Sequence, residues 1–261
     1  MKVVILCGGQ GTRLREETEY RPKGLVPVGG MPILWHIMKI YSHYGFKDFI
    51  LCLGYKGDMI KDYFIKFQEL SNDFTLNLRS KQERIIHHRR ANLEDWKITF
   101  VDTGQSSQTG SRVAKIKDYI AEDKEFFLAY GDGVASINIK DLLSFHCQHK
   151  KIGTVSGVRP PSRFGELVTK KEQVISFNEK PLLSQGFING GFFVFKRGIF
   201  NYLSTDDACI LERDPLENLV KDRELMMFPH AGYWQCMDTF RDNLMLNEEW
   251  NQGKAAWKVW K

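Results

Sequence analysis

Short apolar runs separated by glycine and polar clusters set the rhythm of the chain. Val3 to Cys7, Phe49 to Leu53, Phe126 to Tyr130 and Gly191 to Phe195 are each too short for a helix and apolar at nearly every position. Strands buried on both faces are written this way. Between the first two runs, Ile33, Ile37, Ile40, Tyr41 and Tyr44 recur at helical spacing, with Pro32 suited to a first helical position and Gly45 to a terminator. Strand, helix, strand predicts a βαβ unit and a parallel sheet. A further helix follows Gly54-Tyr55-Lys56-Gly57, with Asp58 as its cap.

Alternation at Phe74, Leu76 and Leu78, and again at Trp96, Ile98 and Phe100, predicts two strands around a basic segment. The polar stretch from Thr103 to Arg112 leads into a helix carrying Val113, Ile116, Tyr119 and Ile120. Beyond it the chain is richer in strands: Thr154 to Val158, Glu166 to Val168, Val174 to Phe177, Gly191 to Phe195 and Leu225 to Phe228. Asp214 and Pro215 read as the cap and first turn of a helix through Leu219 and Val220, and a last helix carries Phe240, Leu244 and Trp250. The expected class is α/β, a doubly wound and mostly parallel sheet, whose ligands bind at the carboxyl ends of the strands. Neither a linker nor a repeat divides it, so residues 1–261 are expected to form one domain, with a second half, from about 151 to 261, that is richer in strands.

Composition narrows the classes. At 261 residues and 43% hydrophobic content the chain can bury a large core. The formal charge of +5 is modest and scattered, which suits acidic small substrates better than a nucleic-acid surface. The run from Arg84 to Arg90 is the one basic cluster and reads as solvated surface or a subunit contact. Five cysteines without a C-x-x-C pair, two of them inside apolar runs at Cys7 and Cys52, favour a reducing, cytoplasmic location. No apolar window approaches the length of a membrane span.

Chemistry concentrates first in Gly8-Gly9-Gln10-Gly11-Thr12-Arg13, directly after the first apolar run. Glycines there let backbone N–H groups converge on phosphate oxygens, and Arg13 and Lys23 add positive charge. The P-loop pattern is missing, since no Gly-Lys-Ser/Thr follows. The dinucleotide fingerprint fails as well, because Leu14 fills the third small position. Asp132, flanked by glycines after a buried strand, and Asp238, after Trp234, are carboxylates that could converge on one hard cation; alternatively each caps a turn.

In order along the chain stand LCGGQGTRL, RPKGLVPVGGMPILWHIM, GYKG, VDTGQSSQTGSR, YGDG, RFGEL, FNEKP, INGGFFV and YWQCMDT. Together they resemble the sugar-1-phosphate nucleotidyltransferase family, and its cytidylyl branch in particular, over nearly the whole length. The resemblance implies a Rossmann-like nucleotide-diphospho-sugar transferase sandwich, with a nucleotide-binding half to about residue 150 and a strand-rich, sugar-phosphate-binding half from about 151 to 261, that joins CTP and glucose 1-phosphate into CDP-glucose, with Mg²⁺ as cofactor. It implies that Gly8, Gly9, Gly11 and Thr12 line the nucleotide, that Arg13 and Lys23 hold its phosphates as the catalytic cations, and that Thr109, Gly110 and Arg112 lie beside the base. Asp132 and Asp238 match the metal aspartates, and Gly165, Glu179, Lys180 and Asn189 match the sugar-phosphate site. A homo-oligomer and a role in bacterial surface-sugar synthesis are implied too. Gly24 and Cys236 depart from the family pattern, each standing where a proline is usual. Two other readings remain open: a nucleotide-sugar glycosyltransferase, although Gly131-Asp132-Gly133-Val134 lacks the second Asp of an Asp-x-Asp motif, and a nucleotide-sugar sensor without turnover.

Overall fold

A computed structural model of the chain describes residues 1–79, 85–88, 94–120, 122–159, 166–170, 173–178 and 186–260. Its centre is a seven-stranded sheet. We number the strands that build the sheet and the site as β1 (Val3–Leu6), β2 (Asp48–Leu53), β3 (Lys97–Asp102), β4 (Glu125–Tyr130), β5 (Gly133–Ala135), β6 (Gly153–Val158), β7 (Ile188–Lys196), β8 (Leu225–His230) and β9 (Trp234–Cys236). The sheet order is β8-β6-β7-β4-β1-β2-β3. The pairs β4/β1, β1/β2, β2/β3 and β6/β8 are parallel, whereas β7 runs antiparallel to both of its neighbours.

The continuous apolar runs have the expected cause. In β1, Val3 and Ile5 enter one core and Val4 and Leu6 the other. Phe127 and Ala129 of β4 share the first core, while Phe126 and Leu128 share the second. Period-2 alternation between two buried faces leaves no position for a polar side chain. Helix α1 (Ile33–His43) covers the first face with Ile33, Leu34, Ile37, Met38, Ile40 and Tyr41. The second face is covered by Val113, Ile116 and Ile120, from α2 (Thr109–Lys115) and the turn after it, and by Leu219 of α3 (Asp214–Lys221). Removing such side chains from water at about 25 cal/mol per Å² is the main force holding the layers together.

Several local expectations need correction. Asp58 lies in the first turn of the helix Gly57–Ile65, whose cap position is held by Lys56 at φ +51°. Asp214 is likewise the first residue of α3, behind Arg213 at the cap. Tyr119 is exposed. In the final helix, α4 (Phe240–Asn251), Phe240 and Leu244 are exposed, and the buried positions are Asn243 and Leu246. Polar residues misled the pattern there: Asn243 Nδ2 donates to Pro27 O at 3.0 Å, and Gly29 N–H donates to Asn247 Oδ1 at 2.9 Å. Hydrogen bonding to otherwise unpaired backbone lets asparagine occupy an inward face. No described helix is long and apolar enough to cross a membrane.

Strand direction decides what reaches the site. The carboxyl ends of β1, β2, β3 and β4 lie at one edge of the sheet. Because β7 is antiparallel to β4, with Phe192 opposite Ala129 and Lys196 opposite Glu125, its first residues, including Asn189, emerge at that same edge. The short pair β5/β9 brings the segment after Trp234 alongside the segment after β4, and Met237 N–H donates to Asp132 O at 2.8 Å.

Candidate active site

A cavity of about 490 Å³ opens at this edge, lined by the loop after β1, the start of α2, the end of β4, Asn189, Glu212 and the segment from Trp234 to Asp238. The size suits a small-molecule site. In the first loop only Gly11 takes a left-handed conformation, at φ +63°. Gly8 is needed for another reason: a Cβ there would stand 2.1 Å from Arg112 Nη1.

At one corner Lys23 Nζ donates to Asp132 Oδ2 at 2.6 Å and to Asp238 Oδ1 at 2.7 Å, while Arg13 Nη1 pairs with Asp238 Oδ2 at 3.1 Å. The backbone of Asp238 is fixed by the cap of α4, where Asp242 Oδ2 accepts from the N–H groups of Asp238 and Thr239. Burial disfavours the charged form of Lys23, but the two aspartates outweigh it and raise its pKa above the ordinary lysine value. Burial pushes the Asp238 carboxyl up, and the lysine and Arg13 more than offset this, holding it below the usual carboxylate range. Lys23 is mostly buried, whereas the Arg13 side chain is 71% exposed and can swing toward a ligand.

The two carboxylates therefore converge on one cationic centre, here an ammonium. Among the described residues no group of three or more His, Cys, Asp or Glu side chains could hold a metal. A pair of carboxylates with phosphate oxygens completing the shell is what Mg²⁺ takes, so the donor set fits that ion when a nucleotide supplies the rest.

Arg112 reaches the cavity but spends its guanidinium on protein. Nη1 donates to Leu53 O at 2.9 Å, Thr103 Oγ1 at 2.7 Å and Gly104 O at 2.8 Å, and Nη2 donates to Gly8 O at 3.0 Å. One planar fork thus ties together the loops after β1, β2 and β3. Thr109 lines the cavity in the first turn of α2, whereas Gly110 beside it is buried against Cys209 and is not part of the lining; Ser111 N–H donates to Cys209 O at 3.0 Å. Asp207 clamps the loop before α2: it accepts from Ser106 Oγ at 2.6 Å, Ser107 Oγ at 2.7 Å and Lys115 Nζ at 2.7 Å.

The structure thus assembles Gly8, Gly9, Gly11, Thr12, Arg13, Lys23, Thr109, Arg112, Asp132, Asn189 and Asp238 around one cavity. Gly165, Glu179 and Lys180 lie outside the described residues, as does most of the Arg84 to Arg90 run. Sequence reasoning passed over Tyr130, Asp207, Glu212 and Trp234. Tyr130 stood in a strand run and looked like core, while Glu212 and Asp207 sat in a polar loop with no motif around them. Trp234 Nε1 donates to Gly190 O at 2.7 Å, which fastens β9 to the start of β7.

The model of the nucleotidyl transferase family matches residues 2–248. The chain belongs to the nucleotidyl transferase family. Over the full length of both proteins this nucleotidyl transferase is 47% identical to the glucose-1-phosphate cytidylyltransferase of Salmonella typhimurium. A mannose-1-phosphate guanyltransferase of Schizosaccharomyces pombe is 28% identical, over 94% of this chain and 62% of that one. The inositol-1-phosphate CTP transferase structure from T. maritima superposes with a TM-score of 0.66, covering 99% and 96% of the two chains at 14% identity, a likeness of fold.

Proposed function

We propose that this nucleotidyl transferase moves CMP from CTP to glucose 1-phosphate, yielding CDP-glucose and pyrophosphate. The observation that carries the reaction type is the convergence of Lys23, Arg13, Asp132 and Asp238 beside the glycine-rich loop. The choice of CTP and glucose 1-phosphate is supported by the full-length likeness to the Salmonella typhimurium enzyme.

A non-bridging oxygen of the sugar phosphate attacks the α-phosphorus of CTP in line, the bond to the bridging oxygen of pyrophosphate breaks, and the charge develops on the leaving group. No general base is required, because a phosphate monoester, with a second pKa near ~6, is largely dianionic at neutral pH. Backbone N–H groups of Gly8, Gly9 and Gly11 with Thr12 hold the nucleotide, and Thr109, Gly110 and Arg112 border the base. Arg13 and Lys23 meet the β and γ phosphates as negative charge builds there. Lys23 leaves its two aspartates to do so, and Asp132 and Asp238 would then hold Mg²⁺. Bound there, the ion supplies electrostatic stabilisation of phosphate charge. Asn189, with Gly165, Glu179 and Lys180, is assigned to the sugar phosphate.

The five cysteines are unpaired, in keeping with a cytoplasmic enzyme. Phe74, Leu76, Leu78 and Ile85 are exposed on and beside the two-stranded pair Phe74–Leu76/Ile85–His87, and we assign that face to self-association, which sedimentation measures. The reaction is tested by pyrophosphate release over a matrix of each NTP against a panel of sugar and polyol phosphates. CTP with glucose 1-phosphate should give the highest kcat/KM; preference for UTP, dTTP or GTP would sink the cytidylyl assignment.

A further inference from the structure

The cavity carries a carboxylate that the reaction above does not use. Glu212 stands on the loop before α3, and its Oε2 accepts from Thr109 Oγ1 at 2.6 Å while its Oε1 accepts from Tyr130 Oη. Tyr130 Oη accepts in turn from Asn189 Nδ2 at 2.9 Å, and Asn189 Oδ1 accepts from Gly191 N–H at 2.8 Å. Thr109 Oγ1 accepts from Leu211 N–H at 3.0 Å. Thr109, Tyr130, Asn189 and Glu212 all line the cavity.

The carboxylate sets the direction of both hydroxyls in this network, and the Gly191 N–H, which can only donate, meets the oxygen of Asn189. An ionised glutamate can only accept. Thr109 and Tyr130 must therefore give their single hydroxyl protons to Glu212, and each meets its other neighbour as an acceptor. One orientation of the Asn189 amide satisfies both neighbours, its nitrogen toward the accepting Tyr130 oxygen and its oxygen toward the Gly191 N–H. Burial, reinforced by the Glu212 charge, raises the Tyr130 phenol above its ordinary pKa and keeps it a donor. One Nδ2 proton of Asn189 is used in the network; among the described residues the other meets no acceptor and is left for a ligand.

We infer that Glu212 is a positioning residue for the sugar phosphate, which through Tyr130, and together with the Gly191 N–H, holds the Asn189 amide as a hydrogen-bond donor to the bound sugar. This rests on the reading of the site as one that transfers a nucleotide to a sugar phosphate. A carboxylate in a cavity for two anions is otherwise a liability, since it repels both substrates. That conflict makes the inference testable. Charge alone predicts that Glu212→Gln binds sugar phosphate more tightly. Loss of polarity control predicts the opposite: a glutamine amide can donate to Tyr130, the phenol then donates toward Asn189, and the amide can accept from it only by giving up its bond from the Gly191 N–H.

The test is steady-state kinetics of wild type, Glu212→Gln, Tyr130→Phe and the double variant, varying each substrate at saturation of the other. Expected is a rise in KM for glucose 1-phosphate of about tenfold in each single variant, the size of one lost hydrogen bond to a ligand. KM for CTP and kcat should move by less than about threefold, and the double variant should be no worse than the worse single one, since both break the same relay. An unchanged or lower KM for the sugar phosphate in Glu212→Gln overturns the inference. So does additivity, or an equal rise in both KM values with a lowered unfolding midpoint. A wild type that turns over another sugar phosphate overturns only the glucose assignment, and the same four proteins are then read with that acceptor.

Discussion

At the Lys23 corner of the cavity two cations face two carboxylates across 2.6 to 3.1 Å, and on another wall Glu212 faces, among the described residues, neutral hydroxyls alone. The first arrangement is neutral as a whole, and each of its partners can be exchanged for a ligand charge of the same sign. On the proposed reaction, phosphate oxygens would replace carboxylates around Lys23 and Arg13, and a divalent ion would replace the ammonium between Asp132 and Asp238. The second holds no exchangeable counter-charge, so binding leaves its donors and acceptors where they are. One corner is made to be re-partnered during turnover; the other is made to keep its polarity.

Removing the exchangeable charge should have the largest effect. Lys23→Ala and Asp132→Asn are each expected to lower turnover by about 10²- to 10³-fold, the loss typical of an electrostatic contact to developing charge. Pyrophosphate release measures this, and near wild-type turnover would break the contrast by making the corner merely structural. Arg112→Ala comes next, because it removes the donor to Gly104 O and the side chain that ties Gly8 O, Leu53 O and Gly104 O together. It should cost about 2–4 kcal/mol in chemical denaturation. Unaltered stability with weakened CTP binding would instead move Arg112 to the exchangeable side.

Asp207 gives a pH test. Hydrogen bonds from Lys115, then Ser106 and Ser107, hold its carboxyl well below the ordinary value of 3.8. A carboxylate depressed in the folded state stabilises it fully above the unfolded value, and the contribution disappears as pH falls through the folded one. Amide exchange in the loop from Thr103 to Gln108 should therefore accelerate as pH drops below about 3.8, after correction for intrinsic rates. Asp207→Asn should show the accelerated exchange already at neutral pH. The smallest effect is expected at Gly24, where an added Cβ would meet Leu34 only at 3.6 and 3.7 Å and φ is not positive. Gly24→Ala should stabilise the fold by roughly 0.5 kcal/mol and leave turnover close to wild type; a marked change in turnover would tie the backbone freedom of Gly24 to Lys23.

Legibility in the sequence followed the range of the interaction. The strands of the central sheet and α1 were readable because burial on two faces, or on one helical face, is written residue by residue. The phosphate-loop glycines, Arg13, Lys23 and the two aspartates were readable because their chemistry is carried by residue type next to a strand end. The inward face of α4 was hidden, since Asn243 and Asn247 are buried by hydrogen bonds to the segment from Pro27 to Gly29, and hydrophobic periodicity has no symbol for that. Arg112 was read as a base neighbour from its motif, and only its four short donor contacts disclose a clamp between loops.

By itself, then, the sequence determined the layers of the fold, the place of the glycine-rich loop and the kinds of charge the site would hold, because these depend on neighbours within a few residues. Tertiary structure alone decided that Lys23 lies between Asp132 and Asp238, that an antiparallel β7 delivers Asn189 to the edge where β1 and β4 end, and that Glu212 meets Thr109 and Tyr130. Those meetings depend on strand order and direction and on distances of a few ångströms between segments remote in the chain, which no local pattern encodes.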